Sequence, residues 1–181
     1  MRYMPVRPAA FREFLGYLPI DREHYVFVDY GSGRGRALML AAEAGFRRAI
    51  GVELDPCHHA IAAANVARHR SRDRIDVIRG DARDVDLPPE PVVIFIYNPF
   101  PRGVMETVVR RIGGQTPSGW LIYEATEDRD LLDGQSWLRL VAERRERAGG
   151  SPRRPRFAIY EFVWPSPALV AAEQHREDSN L

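Results

Sequence analysis

Short apolar runs alternate along this chain with segments in which apolar residues recur at helical spacing. The runs are typical of buried strands, and the segments between them are typical of helices that cover a sheet. The alternation persists from residue 25 to residue 123, and it implies right-handed crossovers between parallel strands. The pattern predicts strands at residues 25–29, 48–53, 75–78, 92–97 and 120–123, separated by helices at residues 35–44, 56–69 and 104–112.

The two ends of the chain depart from this alternation. Residues 1–21 predict a short amphipathic helix, because apolar side chains recur there at helical spacing. After a weak helical segment near residues 128–132, the runs 137–142 and 157–163 predict two strands without a convincing helix between them. We therefore expect a terminal hairpin, with an arginine-rich loop from Arg144 to Arg156.

Length and composition favour one globular domain. At 181 residues, with 45% hydrophobic and 28% charged residues, the chain is long enough to bury a core. We expect a single domain over residues 1–165 and a polar, flexible tail over residues 166–181. The formal net charge of +1 gives no global electrostatic reason to expect nucleic-acid or membrane binding.

Cysteine usage and hydropathy indicate a cytoplasmic protein. The single cysteine, Cys57, excludes an internal disulfide framework and is compatible with a reducing compartment. Residues 1–10 contain no apolar core of signal-peptide length. The longest uninterrupted apolar run, residues 92–97, is far too short to span a membrane.

A glycine-rich turn between the first strand and the first crossover helix is the main candidate for a binding site. Gly31, Gly33 and Gly35 follow the strand, and Asp29 precedes them. Glycines allow positive φ and close approach of a ligand. The helix that follows directs unpaired N–H groups and the positive end of its dipole at the turn. The arrangement is typical of a site for a nucleotide-like ligand.

The spacing of the glycines separates the possible ligands. A dinucleotide fingerprint requires its third glycine at position 36, which is Arg36. A phosphate-binding P-loop requires a lysine, and all 26 basic residues of this chain are arginine. A nicotinamide oxidoreductase is therefore a disfavoured alternative.

Polar residues follow the ends of the other strands, where ligands bind in an open parallel sheet. Glu53 ends the second strand, 24 residues after Asp29, which is close to the spacing expected for an acid that binds ribose hydroxyls. Asp81 follows the third strand, and Asn98 follows the fourth. Asp55, directly before Pro56, is interpreted as a helix N-cap.

These motifs resemble those of a bacterial group of class I S-adenosylmethionine (SAM)-dependent methyltransferases of unassigned substrate. The resemblance covers about residues 1–125 and includes the lead-in Tyr3-Met4-Pro5. It implies an α/β fold, a Rossmann-like three-layer sandwich, in which a mostly parallel seven-stranded sheet has an antiparallel C-terminal hairpin strand. The motifs that carry it are residues 27–36, 51–56, 80–82 and 97–101.

The resemblance also implies a cofactor site for SAM. The glycine turn faces the methionine part of the cofactor, Glu53 the ribose and Asp81 the adenine. The predicted cofactor-binding residues are Asp29, Gly31, Ser32, Gly33, Gly35, Glu53, Leu54, Asp81, Ala82, Tyr97 and Asn98.

Asn98, Pro99 and Phe100 are expected to border the methyl-transfer site. They resemble the [DN]-P-P-[YF] motif of methyltransferases that act on planar amines, but one proline is missing. A rigid turn without direct chemistry is an equally good interpretation. Tyr97, Asn98 and Glu124 lie near the expected opening, and none is assigned as a general base.

The sequence leaves the acceptor open. A protein side-chain amine ranks first, a small molecule second and nucleic acid third, the last through the loop from Arg144 to Arg156, which Glu146 interrupts. The alternative is a non-catalytic module that binds SAM. No metal is expected, because Cys57, His58 and His59 are neighbours on a helix and lack ligand spacing.

Overall fold

The computed structural model describes residues 4–97, 100–115, 118–145 and 155–164. Strands and helices alternate in this part of the chain, and short 3₁₀ turns precede two of the strands. The helices are α1 (Pro8–Leu15), α2 (Arg36–Glu43), α3 (Pro56–Ala67), α4 (Arg102–Gly114) and α5 (Arg129–Asp133). The strands are β1 (Val26–Tyr30), β2 (Arg48–Glu53), β3 (Ile75–Arg79), β4 (Val92–Tyr97), β5 (Gly119–Glu124), β6 (Leu138–Arg145) and β7 (Pro155–Phe162).

The strands form one seven-stranded sheet in the order β3-β2-β1-β4-β5-β7-β6. Strands β1 to β5 pair in parallel, and β7 is antiparallel to both β5 and β6. The order reverses between β1 and β4, so a crevice opens there at the carboxyl ends of the strands. The predicted fold class, with its antiparallel hairpin strand, is confirmed.

Two helical layers cover the sheet. Phe14 of α1, Leu38 of α2 and Val66 of α3 belong to the core cluster on one face. Val109 of α4 and Leu132 of α5 belong to the cluster on the other face. Because both faces are covered, β1 and β5 are buried along almost their whole length, which explains their continuous apolar sequences.

Both predicted ends of the arginine-rich loop are wrong. The loop was expected to run from Arg144 to Arg156, yet β6 continues through Arg145 and β7 begins at Pro155. Arg144 is paired with Phe157 in the ladder, and its guanidinium forms an ion pair with Glu13 of the first helix. Residues 146–154 of that loop and the predicted tail lie outside the described residues. No helix in the described parts of the chain is long and apolar enough to cross a membrane.

Candidate functional site

A cleft of about 670 Å³ opens at the carboxyl ends of the parallel strands. Its walls come from the turn after β1, the end of β2, residues 80–83 after β3, the end of β4 and the first turn of α4, with residues 4–6 at one side. It brings together most of the predicted cofactor-binding residues, namely Asp29, Gly31, Ser32, Gly33, Glu53, Leu54, Asp81, Ala82 and Tyr97.

The other predicted residues have different positions. Gly35 does not line the cleft; it is the N-cap of α2, in the left-handed conformation with φ of 80°. Phe100, predicted to border the methyl-transfer site, lines the cleft. Asn98 and Pro99 lie outside the described residues. The structure therefore assembles the expected strand ends into one concave surface.

The glycine turn is bonded to the neighbouring strand. The N–H groups of Gly31 and Ser32 both donate to the Val52 carbonyl, at 2.9 and 3.0 Å. The Gly35 N–H donates to the Ser32 carbonyl at 2.9 Å, which closes the turn before α2 begins. The start of α2 consequently faces the cleft, where Arg36 forms part of the wall.

Glu53 is the central polar residue of the site. Its Oε2 accepts a hydrogen bond from the Gly33 N–H at 2.7 Å, and its Oε1 accepts one from the Asp55 N–H at 2.8 Å. Its main-chain carbonyl accepts from the Gly80 N–H at 3.1 Å. Glu53 thus fixes the turns after β1, β2 and β3 relative to one another. A carboxylate has about four acceptor positions, so its oxygens can still accept hydroxyl donors from a ligand.

Asp29 is the second acid of the cleft and has a different character. It is 4% exposed, and no described residue donates a hydrogen bond to its carboxyl group. Burial, together with the nearby Glu53 carboxyl group, raises the pKa of Asp29 to about 8. Asp29 therefore keeps its proton near pH 7, whereas the Glu53 carboxylate accepts hydrogen bonds from two N–H groups.

Ser32 brings an unsatisfied hydroxyl to the cleft wall. The residue is 5% exposed, and its Oγ has no hydrogen-bond partner within the described structure. Buried polar groups without a partner are rare in folded proteins. Ser32 packs against Gly51 of β2, where an added Cβ would lie 2.7 Å from Ser32 Oγ and 2.5 Å from Leu38 Cδ1. Gly51 is therefore required by close packing, a role that the sequence analysis missed.

Asp81 is held in place by Arg83. The Arg83 guanidinium donates to both carboxylate oxygens, at distances from 2.6 to 3.1 Å. The main-chain N–H of Arg83 also donates to Asp81 Oδ1, at 2.9 Å. These bonds, the side-chain ones first, lower the pKa of Asp81. The sequence analysis did not single out Arg83, and the only available signal was its spacing of two residues from Asp81.

The end of the cleft at β4 is more apolar. Phe95, Tyr97, Phe100 and Val104 form part of its wall. Residues 4–6 also line the cleft: Met4 is 59% exposed, while Val6 is buried in the core. The sequence analysis noted a family resemblance in the lead-in residues but did not predict that this segment lines the site.

The start of α3 shows that one local prediction was right. The Asp55 side chain accepts a hydrogen bond from the His58 N–H at 2.8 Å, which confirms Asp55 as the N-cap of α3. His59, farther along the helix, has its Nε2 3.2 Å from the Val77 carbonyl oxygen. Among the described residues, no group of three or more His, Cys, Asp or Glu side chains could hold a metal ion.

Solved structures of methyltransferases are similar to this one. The glycopeptide N-methyltransferase MtfA matches 87% of this chain and 96% of its own, with a TM-score of 0.66 and 15% identity. MtfA complexed with SAM matches 88% of this chain and 87% of its own, with a TM-score of 0.64 and 14% identity. An RNA methyltransferase from Salinibacter ruber in complex with S-adenosyl-L-homocysteine (SAH) matches 91% of this chain and 97% of its own, with a TM-score of 0.65 and 20% identity.

Sequence comparison adds nothing to the structural similarity. No protein-family profile matches the chain, and none of the curated proteins compared with it matches. At identities of 14–20% the structural similarity shows a common fold.

Proposed function

We propose that this chain is a SAM-dependent methyltransferase that binds SAM at the carboxyl ends of β1, β2 and β3. The arrangement around Glu53 carries the proposal. An acid that is bonded through both oxygens to the turns after β1 and β2 presents its remaining acceptor positions to the cleft. The common fold with SAM-binding methyltransferases supports the same conclusion.

The residues of the cleft suit such a cofactor. Ser32 offers a buried hydroxyl without a partner beside the turn that faces the methionine part. Glu53 accepts the ribose hydroxyls, and Asp81, oriented by Arg83, accepts the adenine amine. Leu54, which is 66% exposed, offers apolar surface for the adenine ring.

Catalysis by this chain consists mainly of alignment. Bound SAM supplies a methyl group already activated on a sulfonium centre. The cleft fixes two reactants relative to each other, and such alignment lowers a barrier by about 7–11 kcal/mol. Tyr97 and Phe100, together with Met4 and Pro5, contribute apolar surface to the wall of the cleft. No residue is assigned as a general base.

The acceptor that we favour is a protein side-chain amine, followed by a small molecule. The cleft is lined by four acids, Asp29, Glu53, Asp55 and Asp81, and by two arginines, Arg36 and Arg83. Arg83 is already paired with Asp81. Because Asp29 keeps its proton near pH 7, the ionised acids outnumber the arginines by one. This small negative excess is more compatible with a cationic acceptor than with a phosphate backbone. A nucleic-acid acceptor therefore ranks third.

Thermal unfolding with SAM, SAH, NAD and NADP tests the proposal. A ligand at 100 times its dissociation constant stabilises the folded state by about 2.7 kcal/mol. For a domain of this size the expected rise in Tm is about 5–10 °C. We expect SAM and SAH to raise Tm of the wild type, and Glu53→Ala to abolish most of the rise. Glu23→Ala, at an exposed acid away from the cleft, is the matched control.

Two other outcomes have defined meanings. If NAD or NADP raises Tm and SAH does not, the methyltransferase proposal fails in favour of an oxidoreductase. If SAH binds but labelled methyl groups from SAM reach no acceptor in any fractionated extract, a non-catalytic binding module replaces it.

A further inference from the structure

A buried acid is the ladder partner of Tyr97, a residue of the cleft wall, but does not itself line the cleft and has no role in the cofactor site. Glu124 is 6% exposed and is the last residue of β5. Pairing of β4 with β5 aligns it with Tyr97, and pairing of β5 with β7 aligns it with Phe157. Residues aligned across neighbouring strands project from the same face of a sheet. Glu124 therefore projects from the same face as Tyr97, whose side chain lines the cleft.

The surroundings of Glu124 on this face are aromatic. The Tyr97 ring lies 6.5 Å from the ring of Phe95, which also lines the cleft. The Phe157 ring lies 5.7 Å from that of Tyr17, which is 43% exposed. Aromatic faces and a carboxylate both attract cations, and both disfavour anions. The chemistry of this region therefore suits an ammonium group.

The backbone directly after Glu124 is strained. Ala125 has φ of 55°, and it is the only non-glycine residue with positive φ among those the structure describes. The left-handed conformation is unfavourable for residues with a Cβ, and such strain often accompanies functional sites. Thr126, the next residue, is buried. The strain thus lies where β5 ends, at the edge of the sheet at which ligands bind.

We propose that Glu124, together with the ring of Tyr97, binds the cationic head of the methyl acceptor, and that the acceptor is an alkyl amine. Glu124 is a specificity-determining residue in this proposal, and the assignment rests on the proposed methyltransferase function. The acceptor is bound as its ammonium ion at the end of the cleft beyond the residues assigned to the cofactor. Because an ammonium nitrogen has no lone pair, one proton passes to water before the neutral amine accepts the methyl group.

Binding of a small cation to the SAH-saturated full chain tests the inference. The probe is n-butylammonium, and the neutral compound of similar shape is 1-butanol, both measured by calorimetric titration. We expect the wild type to bind n-butylammonium about tenfold or more tightly than 1-butanol. Glu124→Gln should remove most of that preference, while its affinity for SAH stays within about twofold of the wild type.

Glu127→Gln is the matched control, because it removes the same charge from an exposed residue three positions along the chain. It should leave the preference for n-butylammonium unchanged. If Glu124→Gln fails to fold, the comparison of the two probes on the wild type still tests the proposal, because it needs no variant.

The outcomes separate the two proposals. Wild-type protein that binds SAH but shows no preference for n-butylammonium overturns the role of Glu124 and leaves the methyltransferase proposal standing. The same holds if Glu124→Gln keeps the full preference. Wild-type protein that does not bind SAH contradicts the proposed function itself.

Discussion

The two halves of the cleft are built in different ways. On the proposed cofactor side, called the cofactor side below, the turns after β1, β2 and β3 are connected by short hydrogen bonds that converge on Glu53. On the proposed acceptor side, called the acceptor side below, Tyr97 and Glu124 come together only because β4 and β5 pair in a particular register. The first half is specified by compact local motifs, whereas the second depends on strand pairing between distant segments. This difference predicts which changes disturb one half without the other.

The largest expected effect comes from replacing Glu53, whose carboxylate accepts the hydrogen bonds that join the turns on the cofactor side. Glu53→Gln retains the size of the side chain, but its NH₂ group faces either the Gly33 or the Asp55 N–H. Loss of a charged hydrogen bond and of a carboxylate for the ligand should weaken SAH binding about 100-fold. Calorimetric titration with SAH measures the effect.

The corresponding substitution on the acceptor side should not affect SAH binding. Glu124→Gln serves as the comparison, because it also converts a buried glutamate at a strand end into glutamine. We expect its SAH affinity to stay near that of the wild type. Equal losses in the two variants would show that the cleft responds as one unit, and the distinction between its halves would be wrong.

The second effect is the pH dependence of stability that protonated Asp29 causes on the cofactor side. The pKa of Asp29 is raised from 3.8 to about 8, so between these values the folded chain holds a proton that the unfolded chain has released. The stability that Asp29 contributes is therefore fully present below pH 4 and is lost as pH rises towards 8. Asp29→Asn removes this dependence.

Urea unfolding of the ligand-free protein at pH 5, 6 and 7 measures it. The stability of the wild type relative to Asp29→Asn should fall by about 1.4 kcal/mol for each pH unit. Asp73→Asn, at an acid whose side chain is 87% exposed, should follow the wild type. Parallel profiles for wild type and Asp29→Asn would mean that Asp29 is ionised in the folded protein.

The third effect breaks the contact between the glycine turn and β2. In Gly51→Ala the new Cβ would overlap Leu38 Cδ1 and Ser32 Oγ, at 2.5 and 2.7 Å. Overpacking of this kind destabilises a protein by about 1–3 kcal/mol. We expect a Tm lower by about 2–10 °C and weaker SAH binding, because Ser32 has to move.

Gly103→Ala is the control for this substitution, since nothing lies within 4 Å of the added Cβ and the residue is in α4. It should leave Tm unchanged or slightly higher. A Gly51→Ala variant as stable as the wild type would contradict the close packing of the turn against β2.

The same division explains what could be predicted from sequence. The bounds of β2 and β4 were predicted as observed. The buried stretch of β2 is bounded by the charged residues Arg48 and Glu53, and β4 is a continuous apolar run followed by Asn98 and Pro99. The pairing of Arg83 with Asp81 and the packing of Ser32 on Gly51 were not predicted. They depend on side-chain directions and on strand register, which periodicity does not reveal.

The β6 error has the same origin. Arg144 and Arg145 are polar residues in a polar stretch, so the pattern indicates a loop. The ladder to β7 continues there nonetheless, and Arg144 finds its ionic partner in Glu13, 131 positions earlier in the chain. Tertiary pairing overrides local composition at the edge of a sheet. The sequence analysis placed Glu124 near the expected opening but assigned it no role, and the register of β5, which places it beside Tyr97, is what supports a specific role.

The smallest expected effect tests the strain on the acceptor side. In Ala125→Gly the left-handed conformation, with φ of 55°, is no longer unfavourable. The relief of about 1 kcal/mol is partly offset by the greater entropy of the unfolded chain. The net result should be a Tm raised by about 1–2 °C. Ala63→Gly, at an exposed position in α3, should lower Tm instead.

The effect of Ala125→Gly on ligand binding then shows whether the strained backbone at Ala125 contributes to the acceptor site. If the strained turn holds Glu124 in position, the variant should bind n-butylammonium more weakly than the wild type, although it is more stable and binds SAH normally. If stability rises and n-butylammonium binding is unchanged, the positive φ of Ala125 only turns the chain after β5 and does not position Glu124. The acceptor side would then depend on strand register without any contribution from Ala125.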